Sequence, residues 1–107
     1  MTVEVLYFQG CPNHAPTVER VRNVLADEGI PTDVVEIEVP DAKAAQKLRF
    51  LGSPSVSING IDVEGRAPAP GAIGLSCRTY VHGSVREGVP SVELIRLAVR
   101  NAKEVSP

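Results

Sequence analysis

The sequence predicts an α/β fold: a βαβ unit followed by a ββα unit, forming a four-stranded mixed sheet flanked by helices, with an irregular loop over residues 65–89. Three features carry this reading. Short β-branched or aromatic runs alternate with segments of helical periodicity. An Asn59-Gly60 pair lies between two of the extended runs. The last amphipathic stretch opens on a capping serine just after Pro90.

Residues 3–8 form an apolar run broken only by Glu4, and Gly10 ends it, which suits a buried first strand. After Cys11-Pro12-Asn13-His14 comes a helical stripe of Val18, Val21 and Leu25, with Glu19, Arg20, Arg22 and Asn23 outside it. Gly29 suits the position just past the helix end, and Pro31 stops any continuation. Residues 33–39 alternate as a second strand, closed by Pro40.

Asp41 is placed to cap a short helix through Ala44, Ala45 and Leu48, ending near Gly52. Residues 55–58 and 61–64 then pair across Asn59-Gly60, because a type I′ turn needs positive φ at both central residues. The strand–helix–strand half crosses over right-handed to stay in one sheet, and the hairpin adds an antiparallel pair. Residues 65–74 hold three glycines and two prolines and exclude regular structure, while residues 75–81 offer an extra short strand. Ser91 caps the last helix, with Glu93 in its first turn and Leu94, Ile95, Ala98 and Ala102 as its buried stripe. No repeat or boundary divides the chain, so residues 1–107 read as one domain.

A net charge of −2 and a pI near 5.6 give no cationic field for phosphate backbones or anionic lipid. Aromatic residues are 4% of the chain and Trp is absent, which argues against a stacking platform for bases. No apolar run nears the ~18 residues of a membrane span. The start has an early Glu4 and no basic segment, so the expected location is the cytoplasm. Two cysteines are too few for a disulfide scaffold. In a reducing compartment such a pair points to catalysis, redox sensing or metal binding.

Cys11 follows a strand and precedes a helix, where free backbone N–H groups and the positive helix end favour a thiolate. The plain alternative is a packed, structural cysteine. The first strand, Cys11-Pro12-Asn13-His14 opening a helix, and Ser53-Pro54 before a strand together resemble the thioredoxin-like superfamily. That resemblance implies a thioredoxin-like fold with Cys11 as the nucleophilic cysteine. It also implies a cis Pro54 whose neighbouring backbone pairs with an extended substrate. An X-Pro bond turns cis for only about 0.5–1 kcal/mol, and Gly52-Ser53-Pro54 is a suitable place for one.

His14 departs from the family pattern, standing where the resemblance implies a second, resolving cysteine. As a cation it would steady a thiolate; as a neutral ring it would serve as base or metal ligand; or it is simply exposed in the first turn. Cys77, 66 positions after Cys11, becomes the resolving thiol if its segment folds back over the helix start. Arg66 and Arg78 are read either as partners for a carboxylate or thiolate, or as solvated surface charges. His82 is read as a turn residue.

These readings converge on a thiol–disulfide oxidoreductase. Cys11, His14 and Cys77 form its catalytic set, and Pro12, Ser53, Pro54 and Arg78 touch the substrate. The partner is a protein or small-molecule thiol or disulfide, with no bound cofactor and glutathione as co-substrate. The oligomeric state stays open. A second reading is soft-metal handling, in which Cys11, Cys77 and His14 hold Hg(II), Cu(I) or Zn(II). Small thioredoxin-like proteins similar to this one are linked by name to organomercurial detoxification. A third reading is a non-catalytic adaptor docking through residues 65–81.

Overall fold

Val3 and Val5 point to one side of the first strand while Leu6 and Phe8 point to the other, and this period-two split organises two layers of core. In the computed structural model, which describes residues 1–65 and 73–105, the chain is an α/β protein with a four-stranded mixed sheet and three helices. The strands β1 (Val3–Tyr7), β2 (Val34–Glu38), β3 (Ser55–Ile58) and β4 (Ile61–Asp62) lie in the order β2-β1-β3-β4. β1 runs parallel to β2, with Val3 opposite Val34, and antiparallel to β3, with Leu6 opposite Ser55.

Helices α1 (His14–Asp27) and α3 (Val92–Val105) cover one face of this sheet, where Val18, Val21, Ile95 and Val99 pack on Val3, Val5, Val56 and Ile58. Helix α2 (Ala42–Leu48) covers the other through Ala45, beside Phe50 and Leu6. Three helix ends follow the local chemistry expected of them. Gly29, at φ +68°, ends α1 in a Schellman motif, with Ile30 N bonded to Leu25 O and Gly29 N to Ala26 O. The Asp41 side chain accepts from Ala44 N at 2.8 Å, and Ser91 Oγ accepts from Leu94 N at 3.1 Å. Asn59 and Gly60 take φ of +53° and +80°, as a type I′ turn demands.

The expected irregular loop over 65–89 needs correcting. Residues 80–87 form a second, two-stranded sheet of β5 (Tyr80–His82) and β6 (Val85–Glu87), with His82 paired to Val85. Gly83 at φ +62° opens the two-residue turn, so His82 is the strand residue flanking it. Strands this short carry almost no periodicity, which hides them among neighbouring turn residues. The extra strand expected over 75–81 forms only from Tyr80 onward. Arg66 and most of the Gly/Pro-rich stretch over 65–74 lie outside the described residues. Among the described residues, no helix is long and apolar enough to cross a membrane.

Candidate functional site

Strand β1 ends at Tyr7 and α1 starts at His14, and two successive turns carry the chain between them. Cys11 N donates to Phe8 O at 3.3 Å, with Gly10 at φ +87° in the third position of the first turn. His14 N then donates to Cys11 O at 3.3 Å. Cys11 therefore sits half-buried, two residues before Asn13, the cap residue of α1. No side chain caps that helix end and no acidic residue lies in its first turn, so its N–H groups face no competing carboxylate on the helix. Pro12 is exposed beside Cys11.

His14 turns away towards the sheet. Its ring stacks on Tyr7 at 3.5 Å between centroids and 6° between planes, and its Nε2 lies 2.7 Å from Glu36 Oε1. Tyr7 shares the α1 side of β1 with Val3 and Val5, so strand alternation delivers its ring to the start of the helix. Of the three readings of His14, the simply exposed ring does not hold, because the ring is partly buried, pinned by β1 and β2. Among the described residues, no hydrogen bond joins it to the Cys11 thiol.

The chain returns to this end of the sheet before β3. The Ser53–Pro54 peptide is cis, as expected, and Ser53 Oγ accepts from Phe8 N at 3.3 Å. Ser53 also pairs in parallel with Cys77: Ser53 N donates to Ser76 O at 2.8 Å, and Arg78 N donates to Ser53 O at 2.9 Å. One turn earlier, Gly74 N donates to Phe50 O at 3.1 Å. Residues 73–78 thus form a strap along the backbone that leads into β3. Both cysteines are free thiols at the same end of the sheet, Cys77 being exposed. Hydrogen bonds link Cys11 to Phe8, Phe8 to Ser53, and Ser53 to the two neighbours of Cys77. Bridge partners project to the same side of a ladder, so the Cys77 thiol leaves the strap on the side from which Ser53 Oγ reaches Phe8.

Two expectations change here. The backbone beside Pro54, which the resemblance implied would pair with a substrate, is already satisfied within the chain: Ser53 is taken on both polar groups, and Pro54 O accepts from the Tyr80 hydroxyl at 2.6 Å. Arg78 is not a solvated charge either; it is 4% exposed. Its Nη1 donates to Ser55 Oγ and Asp62 Oδ1, its Nη2 donates to Asp62 Oδ2 and Glu64 Oε1, and the guanidinium lies 4.6 Å over the Tyr80 ring. Burial disfavours the cation, but the hydrogen bonds to Asp62 and Glu64 outweigh it and raise the pKa further above its ordinary value. A guanidinium so engaged anchors the strap and has no free fork for a ligand carboxylate.

Tyr7, Glu36, Asp62, Glu64 and Tyr80 support the site without having been singled out in sequence. The usable signals were weak: an aromatic at the end of β1, and two carboxylates just after Asn59-Gly60. Among the described residues, no group of three or more His, Cys, Asp or Glu side chains gathers as a metal site. Comparison with known proteins adds no relative: no protein-family model, no curated protein and no solved structure matches the chain.

Proposed function

We propose that this chain is a thioredoxin-like thiol–disulfide oxidoreductase, with Cys11 as nucleophile and Cys77 as resolving thiol. One observation carries the reading: the Ser53–Cys77 bridge ties the second cysteine of the sequence to the end of the sheet that holds Cys11. The order of elements supports it too, with Cys11 between the end of a central strand and the start of a helix. The Cys11 thiolate attacks one sulfur of a disulfide, forming a mixed disulfide and releasing the first thiolate. Cys77 then attacks Cys11 Sγ, forming a Cys11–Cys77 disulfide and releasing the second thiolate. The protein dithiol loses two electrons and the substrate disulfide gains them. Two glutathione thiols return the protein to the dithiol state and leave as glutathione disulfide. His14 holds the helix start to the sheet through Tyr7 and Glu36 and takes no part in resolution.

The test is a redox titration in glutathione buffers, with thiols trapped by alkylation and both cysteine peptides read by mass spectrometry. The expected result is a reversible Cys11–Cys77 crosslink in the wild type. Cys77→Ser should stop at a Cys11–glutathione mixed disulfide, and Cys11→Ser should form neither product. No change at either cysteine across the titration overturns the reading in favour of a non-catalytic adaptor.

The two free thiols also favour a second reading, in which Cys11 and Cys77 grip a soft ion that accepts two thiolates, Hg(II) or Cu(I). The Zn(II) version needs three or four ligands, and His14 Nε2 is already committed to Glu36. Calorimetric titration with Cu(I) should show one site per chain that Cys77→Ser weakens strongly; unchanged affinity in that variant excludes a two-thiol site.

A further inference from the structure

We infer that the partner of Cys11 is a small disulfide or thiol of glutathione size, and not an extended segment of another protein; this rests on the thiol-exchange reading above. Proteins capture extended polypeptide by adding it as a strand to a bare backbone edge. At this end of the sheet that edge is closed by the chain itself. Ser53 N and Ser53 O are bonded to the strap at 2.8 and 2.9 Å, and Phe50 O accepts from Gly74 N at 3.1 Å. Phe8 N is taken by Ser53 Oγ, Cys11 N by Phe8 O, and Pro54 O by the Tyr80 hydroxyl.

The strap is also hard to displace. Lifting it would pull the buried Arg78 guanidinium from Asp62, Glu64 and Ser55. It would also open the close contact at Gly52, where a Cβ would stand 3.0 Å from Arg78 Cβ and 3.1 Å from Ser76 O. Among the described residues, what stays open at this end of the sheet is half-buried Cys11, exposed Pro12 beside it, and exposed Cys77 on the strap. A small disulfide needs only to bring one sulfur to Cys11. A peptide would find the backbone groups of Ser53, Phe50 O and Pro54 O already taken.

The experiment follows oxidation of the pre-reduced wild-type protein by glutathione disulfide and, separately, by insulin at equal disulfide concentration. Cys11 and Cys77 are trapped by alkylation at each time point, and each rate is divided by that of dithiothreitol with the same disulfide. The normalised rate should favour glutathione disulfide by at least about tenfold, since only that partner reaches Cys11 without displacing the strap. A normalised insulin rate equal to or above the glutathione rate overturns the inference while leaving the thiol-exchange reading intact. Absence of oxidation by either compound overturns that reading and the inference with it.

Discussion

Arg78 grips Asp62 with both arms of its guanidinium, Nη1 to Oδ1 and Nη2 to Oδ2, each at 2.7 Å. The pair joins the residue after Cys77 to the short strand β4 and adds a side-chain tie to the backbone bonds that align the strap with Ser53. Glu64 and Ser55 take the remaining Nη hydrogens, while the buried Nε has no hydrogen-bond partner among the described residues. Breaking a buried pair by removing one charge costs far more than its net worth, because the other charge stays buried. Asp62→Asn is therefore expected to cost about 3 kcal/mol in urea unfolding. Arg78→Lys keeps the charge but loses the fork, and should cost at least about 1.5 kcal/mol. Both variants should lower the yield of the Cys11–Cys77 crosslink, and wild-type stability in both would show that the pair is not an anchor.

Gly52 holds φ at +111°, a region that side chains rarely enter, and the strap passes directly over it. Gly52→Ala combines that backbone cost with the contacts to Arg78 Cβ and Ser76 O. The expected loss is about 1–3 kcal/mol, measured by thermal or urea unfolding. A variant within a few tenths of the wild type would mean that the strap gives way freely.

His14 bridges the start of α1 to two strands, by stacking on Tyr7 and by its bond to Glu36. His14→Ala should cost about 1 kcal/mol, since both contacts are partly solvated. Glu36→Gln keeps a hydrogen-bonding partner for the ring and should cost clearly less. Chemical unfolding of the two variants side by side checks the order, and a larger loss in Glu36→Gln reverses the assignment.

Glu28, at the end of α1, bonds Arg100 of α3 through both carboxylate oxygens, at 3.0 and 3.3 Å. The Arg100 hydrogen bond, aided by the charges of Arg100, Lys103 and Arg96, lowers its pKa below the ordinary 4.5 despite partial desolvation. A carboxylate with a depressed folded-state pKa contributes stability above its unfolded pKa, and loses it as pH falls through the folded value. The melting-temperature gap between wild type and Glu28→Gln should thus be level near neutrality and close as the pH drops below about 4.5. It should also narrow in high salt, because the pair is at the surface. A gap that widens on acidification would reverse the sign.

The elements were legible where one short-range rule dominates. Gly29, Asp41, Asn59-Gly60 and Ser91 each act through backbone groups within a few residues, so their effect is written in local sequence. The hairpin of β5 and β6 was missed because three-residue strands barely repeat, although Gly83 did mark its turn. Arg78 was misread for a different reason. A buried arginine and a surface arginine look alike in sequence, and Asp62 and Glu64 become its partners only when residues 14 to 16 positions apart fold together.

Sequence alone determined that this is an α/β chain with a cysteine at a strand-to-helix junction and a proline loop before the third strand. Those features follow from periodicity, caps and turn chemistry, which are local. Only the tertiary structure decided that Cys77 lies beside Ser53, that His14 is spent on Tyr7 and Glu36, and that the chain closes its own pairing edge. Each depends on backbone or side-chain groups far apart in sequence competing for the same few hydrogen bonds, and that competition is settled only when the layers pack.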